Sequence, residues 1–144
     1  MKISARGRYG IQFLIDLAEH ADEPHVTLAS VAERKGISLR YLEQVVVILH
    51  RTGFIRSIKG ASGGYTLARP AAEINIGDAL RMLEGDMLVS SPYVSGTPET
   101  PLERCIRLSV FEGLNERIAA VIDSKTLASL VGTVDPDESY MYFI

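Results

Sequence analysis

The stretch "LASVAERKGISLRYLEQVV", residues 28–46, decides the fold. Thr27 is placed to cap a short helix in which Leu28, Val31 and Ala32 face inward, and Lys35-Gly36 supplies a basic last turn and a glycine stop. Ser38 then caps a second helix, where Leu42, Val45, Val46 and Leu49 recur at i, i+3, i+4 and i+7. At about 100° per residue, Arg40, Gln44, Val47 and Arg51 point away from that stripe, with Tyr41 and Ile48 on one flank and Glu43 on the other. Two helices joined by a short glycine turn match a helix-turn-helix, whose second helix enters the major groove through its N-terminal residues. A solvated polar face explains Arg40, Tyr41 and Gln44 equally well when each is taken alone. An arginine suited to guanine and a glutamine suited to adenine, both near the start of a capped helix, are the side chains that direct base readout uses.

Downstream, "FIRSIKG" and "GGYTLAR" read as two short strands around a glycine turn, so "KGASGGYTLARP", residues 59–70, is the tip and return arm of a β-hairpin. A phosphate cradle for a nucleotide is excluded, because neither a Gly-Lys-Ser/Thr ending nor Gly-x-Gly-x-x-Gly between a strand and a helix is present. A plain surface turn is the bland alternative. A helix-turn-helix followed by a hairpin is a winged helix, and there the tip lies beside DNA. Gly60, Gly63 and Gly64 then let backbone N–H groups approach phosphates while Lys59 enters the minor groove. Arginine would suit a narrow groove better, being less strongly hydrated.

Upstream, "SARGRYGIQFLIDLAEHA" from Ser4 spaces Tyr9, Phe13, Leu14, Leu17 and Ala18 as an amphipathic helix, broken at Asp22-Glu23-Pro24. "NIGDALRMLEG" gives a further helix with Asn75 as N-cap, Asp78 in its first turn and Gly85 at its end. Three prolines in residues 86–101 mark a loop or linker. From Leu102 to about Asp123 a long helix carries Phe111, Leu114, Ile118 and Val121, with further apolar residues at Leu102, Ile106, Val110 and Ile122. That surface is too wide for a lone helix, and the same helix of a second subunit covers it most economically. Ser124 is placed to cap a short helix "KTLASLV", and "DESYMYFI" forms an aromatic tail. The expected class is mainly α with a small β-hairpin wing. A winged helix-turn-helix head (1–85) leads through a linker (86–101) to a dimerisation helix region (102–131) and a tail (132–144).

The 144 residues are 47% apolar and 23% charged, which fits one globular domain with a short appendage. The net charge of -3 conceals a division: residues 1–70 hold ten Lys/Arg against six Asp/Glu, while residues 71–144 hold five against twelve. The front half is where a polyanion would bind. No apolar run approaches the roughly 20 residues of a membrane span, and the N-terminus lacks the apolar core of a secretion signal, so a cytoplasmic protein without a membrane partner is expected. Cys105 is the single cysteine, excluding an internal disulfide, and His20, His25 and His50 share no metal-ligand spacing. Cys105 reads as a small buried hydrophobe, with redox sensing as the alternative. No paired carboxylates, nucleophile–base pair or phosphate loop point to an enzyme.

With Ser4-Ala5-Arg6-Gly7-Arg8-Tyr9-Gly10, Ser38-x-x-Tyr41-Leu42-Glu43-Gln44 and Lys59-Gly60-x-x-Gly63-Gly64-Tyr65-x-Leu67, the chain resembles the Rrf-type family of bacterial winged-helix transcription regulators from Met1 to about Val131. The resemblance implies a homodimeric repressor that binds double-stranded DNA at a pseudo-palindromic promoter site. It places DNA contacts at Ser38, Arg40, Tyr41, Gln44 and the wing Lys59 to Gly64, with Arg6 and Arg8 near the backbone. The family's cluster-binding branch uses three cysteines spaced six apart and a nearby histidine. With Cys105 as the last, this chain holds Tyr93, Glu99 and Leu108 at the other positions. One thiolate cannot hold an iron–sulfur cluster, so no cofactor is expected and the cluster-free branch is the nearer one. Members of that branch can be controlled by a cysteine-biosynthesis enzyme, which brings cysteine, sulfur or redox-related genes into view. A reading from another class remains: a protein-interaction module that docks on a metabolic enzyme, with DNA binding secondary.

Overall fold

The computed structural model describes residues 1–133. The "DESYMYFI" tail lies outside the described residues. Helix α1 (Ala5–Glu19) is followed by α2 (Leu28–Lys35) and α3 (Leu39–Arg51), each capped by the hydroxyl of the preceding residue: Ser4, Thr27 and Ser38. Between α2 and α3 the chain reverses at Gly36, whose φ of 64° is open to glycine at little cost and strained for other residues. The stripe read from the sequence is the buried face of α3: Leu42, Val45, Val46 and Leu49 are each at most 4% exposed. They meet Phe13, Leu14 and Leu17 of α1 and Val31 of α2 in one core. Each such side chain contributes about 1.5–3 kcal/mol of transfer free energy when fully buried.

Strand β1 (Ile55–Ile58) pairs antiparallel with β2 (Gly64–Leu67), with Ser57 opposite Tyr65 and Ile58 opposite Gly64. On the free edge of β2, Val26 and Tyr65 exchange two backbone hydrogen bonds of 2.8 Å. The wing is thereby fastened to the segment just ahead of α2, and both backbone groups of Tyr65 are satisfied.

Helix α4 (Ile76–Glu84) packs against α1 through Leu83, which occupies the space a side chain at Gly10 would need. Its cap Asn75 accepts from Asp78 N–H and donates to the Asp123 carbonyl at 2.8 Å. Ile76 N–H donates to the Lys125 carbonyl and Leu127 N–H to the Ile74 carbonyl. Arg81 donates to both carboxylate oxygens of Asp123, at 2.8 and 2.9 Å. These bonds dock the end of the long helix onto α4 and bury Leu127 in the head core.

The expected long helix runs from Pro101 to Asp123, with Thr100 and Glu103 forming a capping box. It consists of α5 (Pro101–Ile106), a π turn (Arg107–Phe111) and α6 (Glu112–Asp123), and the backbone stays right-handed helical at each joint. A π turn inserts one residue into the repeat, so the apolar positions before and after it are rephased by about 100° relative to a continuous α-helix. Among the described residues the turn is the main departure from the helical repeat read in the sequence.

Two expectations are corrected. The last short helix, α7 (Leu127–Leu130), is capped by Thr126, whose hydroxyl accepts from Ser129 N–H. Ser124 instead closes α6, its hydroxyl donating to the Val121 carbonyl. Cys105 is exposed rather than buried, with its sulfur 3.8 Å from Ser109 Oγ, because α5 stands clear of the head.

Candidate nucleic-acid interface

Ser38 holds the start of α3 by accepting from Tyr41 N–H at 3.1 Å, so its hydroxyl is engaged at the terminus a duplex would meet. Beyond it Leu39, Arg40, Glu43, Gln44 and Val47 are exposed. Arg40 and Gln44, one helical turn apart, present their hydrogen-bonding ends from the face opposite the core. Tyr41 is half-buried, and its ring stands edge-on to Tyr9 of α1, with centroids 5.2 Å apart and planes at 90°. The Arg8 guanidinium lies 6.0 Å from the Tyr9 ring centre. Arg8, Tyr9 and Tyr41 therefore join the first turns of α1 and α3, although Tyr9 and Tyr41 are 32 residues apart in the chain. Arg6 and Arg8 are both exposed.

At the wing, Lys59 and Gly60 form the exposed tip, where Gly60 takes a φ of 132°. Gly63 and Gly64 have an internal reason to be glycine. A Cβ on Gly63 would run into the Ile58 carbonyl, and one on Gly64 into the Val26 carbonyl. Both glycines thus serve the packing of the wing itself, where the hairpin closes and meets Val26.

Sequence reasoning missed part of this surface. Val47, His50 and Arg51 on the second half of α3 line a cleft with Ser57 and Tyr65 of the wing. Val47 is 62% exposed, and on a helix that entered a major groove such a side chain would suit contact with a thymine methyl. The helical wheel already turned Val47 and Arg51 outward; that the wing meets them there is a tertiary fact. Asp16 was also missed as a structural anchor. It is wholly buried in α1 and accepts from Arg34 Nε at 3.0 Å and Nη2 at 2.7 Å, tying α1 to α2.

The expected dimerisation residues lie on α6 and the π turn. Phe111, Leu114 and Val121 are exposed in the single chain and Ile118 is half-buried. Leu114, Ile118 and Val121 border an apolar groove with Ile3, Leu80 and Met87.

The family model describing Rrf2 iron-dependent transcriptional regulators matches residues 3–133. The HTH-type transcriptional regulator CymR of Bacillus subtilis is 38% identical over 145 residues, covering all of both chains. IscR of Serratia proteamaculans is 35% identical over 136 residues, covering 94% of this chain and 82% of its own length. Among solved structures, CymR, the global cysteine regulator of B. subtilis, superposes with a TM-score of 0.77 at 36% identity, over 94% of this chain and 99% of its own. T. potens IscR gives 0.74 at 37% identity, over 99% and 96%.

The family description raises iron, and the side chains present do not fit it. A cluster is held by thiolates, and the chain has one cysteine. Glu99 is taken up by Arg107, which donates to both of its oxygens at 2.7 and 2.9 Å and lies 4.2 Å from the Tyr93 ring centre. Asp16, Glu19 and His20 converge elsewhere, but Arg34 and Lys35 already supply the cations there. Sequence along the whole described chain and fold agree, and regulators of transcription, not enzymes or docking modules, are what it matches: the chain belongs to the Rrf2 family of DNA-binding transcriptional regulators.

Proposed function

We infer that the protein acts in the cytoplasm as a homodimer, binding a pseudo-palindromic promoter site and repressing transcription. The observation that carries this reading is the joint exposure of Arg40, Gln44 and Val47 on α3 and of a cationic wing tip at Lys59. Arg40 and Gln44 read base edges in the major groove. Lys59 enters the minor groove, and Arg6, Arg8 and Ser38 meet the phosphate backbone. Half-sites lie about one or two helical turns apart, because two heads are set by one symmetric tail contact.

The dimer reading is supported by α6. Leu114 and Val121 are 44% and 63% exposed on a folded helix, beside an apolar groove. A second copy would cover both at once. The cysteine role of a 36%-identical neighbour supports target genes of cysteine or sulfur metabolism. The poor fit to a cluster favours control through a protein, a cysteine-biosynthesis enzyme, with the exposed α5 and π turn as its contact. Cys105, exposed there, is the group through which oxidation would act.

Sedimentation at micromolar concentration together with genome-wide footprinting by the purified protein, with and without reductant, tests this reading. A dimer protecting paired half-sites upstream of sulfur genes is expected. A monomer, or failure to protect any promoter, overturns it.

A further inference from the structure

Glu84 is the last residue of α4, and its carboxylate reaches the first turn of α1, 80 positions earlier in the chain. Its Oε1 accepts from Ser4 N–H at 3.1 Å and from Ser4 Oγ at 2.6 Å, while the Gly7 N–H donates to that same Ser4 Oγ at 3.4 Å. A side chain on Gly7 would collide with this carboxylate, and one on Gly10 with Leu83, so the two glycines form the seat on which α4 ends. The N-terminus of a helix carries unpaired N–H groups and partial positive charge, which elsewhere receive a phosphate. Here an internal carboxylate already occupies that position.

Arg6 and Arg8 stand about 100° to either side of Gly7 around the helix, so the face docked on Glu84 fixes the directions of both. Both are exposed, and Arg8 connects through Tyr9 to Tyr41 at the start of α3. The other end of α4 is tied to the end of the long helix by its cap Asn75, whose amide donates to the Asp123 carbonyl at 2.8 Å, and by Ile76 N–H, which donates to the Lys125 carbonyl. Helix α4 is therefore a strut with one end on the end of the long helix and the other on the cationic turn of α1.

Building on the DNA-contacting role of Arg6 and Arg8 given above, we propose that Glu84 is a positioning residue for DNA binding. It locks the first turn of α1 so that these two arginines meet backbone phosphates beside the base pairs read by α3.

The positioning role and plain charge make opposite predictions. Removing a carboxylate near a polyanion raises affinity if its charge is all that matters; releasing the arginines lowers it. Binding to a labelled duplex of mixed sequence is measured across a salt series, with melting as a fold control. The Arg6→Ala/Arg8→Ala pair is expected to reduce the salt slope by about 2, near 0.9 per phosphate contact. Glu84→Ala weakens binding about tenfold, reduces the slope by about 1, and adds little further loss in the double-arginine background. Glu84→Gln, whose amide oxygen still accepts from Ser4, retains most of the slope. Should Glu84→Ala not fold, Ser4→Ala carries the test, with a lowered slope expected. A slope and affinity at or above wild type for Glu84→Ala, or for Ser4→Ala in its place, overturn the proposal, as does a loss that adds in full to that of the arginine pair. An unchanged slope for the arginine pair itself overturns the backbone role of those residues as well.

Discussion

Asp16 of α1, with no exposed surface, is gripped by both Nε and Nη2 of Arg34 from α2. Lys35 stands 3.9 Å from the same carboxylate, and His20 touches it from the next turn of α1. The first helix of the helix-turn-helix is thus held to the scaffold by charge at a point where apolar packing is thin. Arg34→Ala leaves a buried carboxylate with weaker partners. Since Arg34 is itself partly exposed and Lys35 remains close, a loss of about 2–3 kcal/mol is expected. Urea unfolding measures it, and a loss under about 0.5 kcal/mol would assign the pair no more than a surface role.

Gln44 and Lys59 separate base reading from phosphate attraction. Gln44→Ala should cost about 1–3 kcal/mol on the preferred site and relax the choice of base at one position. Lys59→Ala should weaken every duplex alike and lower the salt slope by about 1. Binding to a library of operator variants distinguishes the two, and equal losses on specific and random DNA for Gln44→Ala would remove it from base readout.

Gly64 reports on the attachment of the wing. A methyl group there meets the Val26 carbonyl, and backbone at a paired strand edge cannot move aside cheaply. Gly64→Ala should cost about 1–3 kcal/mol of stability and release the Val26–Tyr65 bonds. Hydrogen exchange at Val26 and Tyr65 should quicken together, whereas unchanged protection would show that the bridge tolerates the methyl group.

Leu114 and Val121 bear on assembly. Both project from α6 without cover in the single chain, so Leu114→Glu with Val121→Glu should leave the head folded while placing two charges in the subunit contact. Sedimentation should show a monomer with near-native circular dichroism and much weaker operator binding. A dimer that survives both changes would place the contact elsewhere.

Glu84 gives stability a pH dependence of known sign. Partial burial pushes its carboxyl up, but the hydrogen bonds from Ser4 Oγ and Ser4 N–H outweigh it, and with the Arg6 charge they hold it below the ordinary glutamate value. A depressed folded value means that the stabilisation is fully present above the unfolded one and is lost as pH falls through the folded one. Stability should therefore decline below about pH 4. Asp123, held low by the bonds from Arg81, declines in the same direction. Glu84→Gln isolates the first part: its unfolding free energy should change less with pH over that range than the wild type's, and identical curves would mean that the Ser4 contact does not favour the ionised form.

The sequence by itself determined what is local. Caps at Thr27, Ser38 and Asn75, the turn at Gly36 and the apolar stripe of α3 depend on residues within a few positions of one another, so periodicity and side-chain chemistry expose them. The helix-turn-helix, the wing, and the outward aim of Arg40 and Gln44 follow from those signals. Only the tertiary structure decided the rest. Asp16 and Arg34 lie 18 residues apart and Glu84 and Ser4 80 apart, pairs of ordinary charged and polar side chains that nothing in their own neighbourhoods marks as partners. The π turn at Arg107 escaped for a related reason: its flanking apolar spacing still fits an unbroken helix, and Arg107 finds Glu99 only after the preceding loop has folded back. Hydrogen bonds and ion pairs are short-ranged, so which distant groups come within reach is settled by packing the whole core, after the local elements exist.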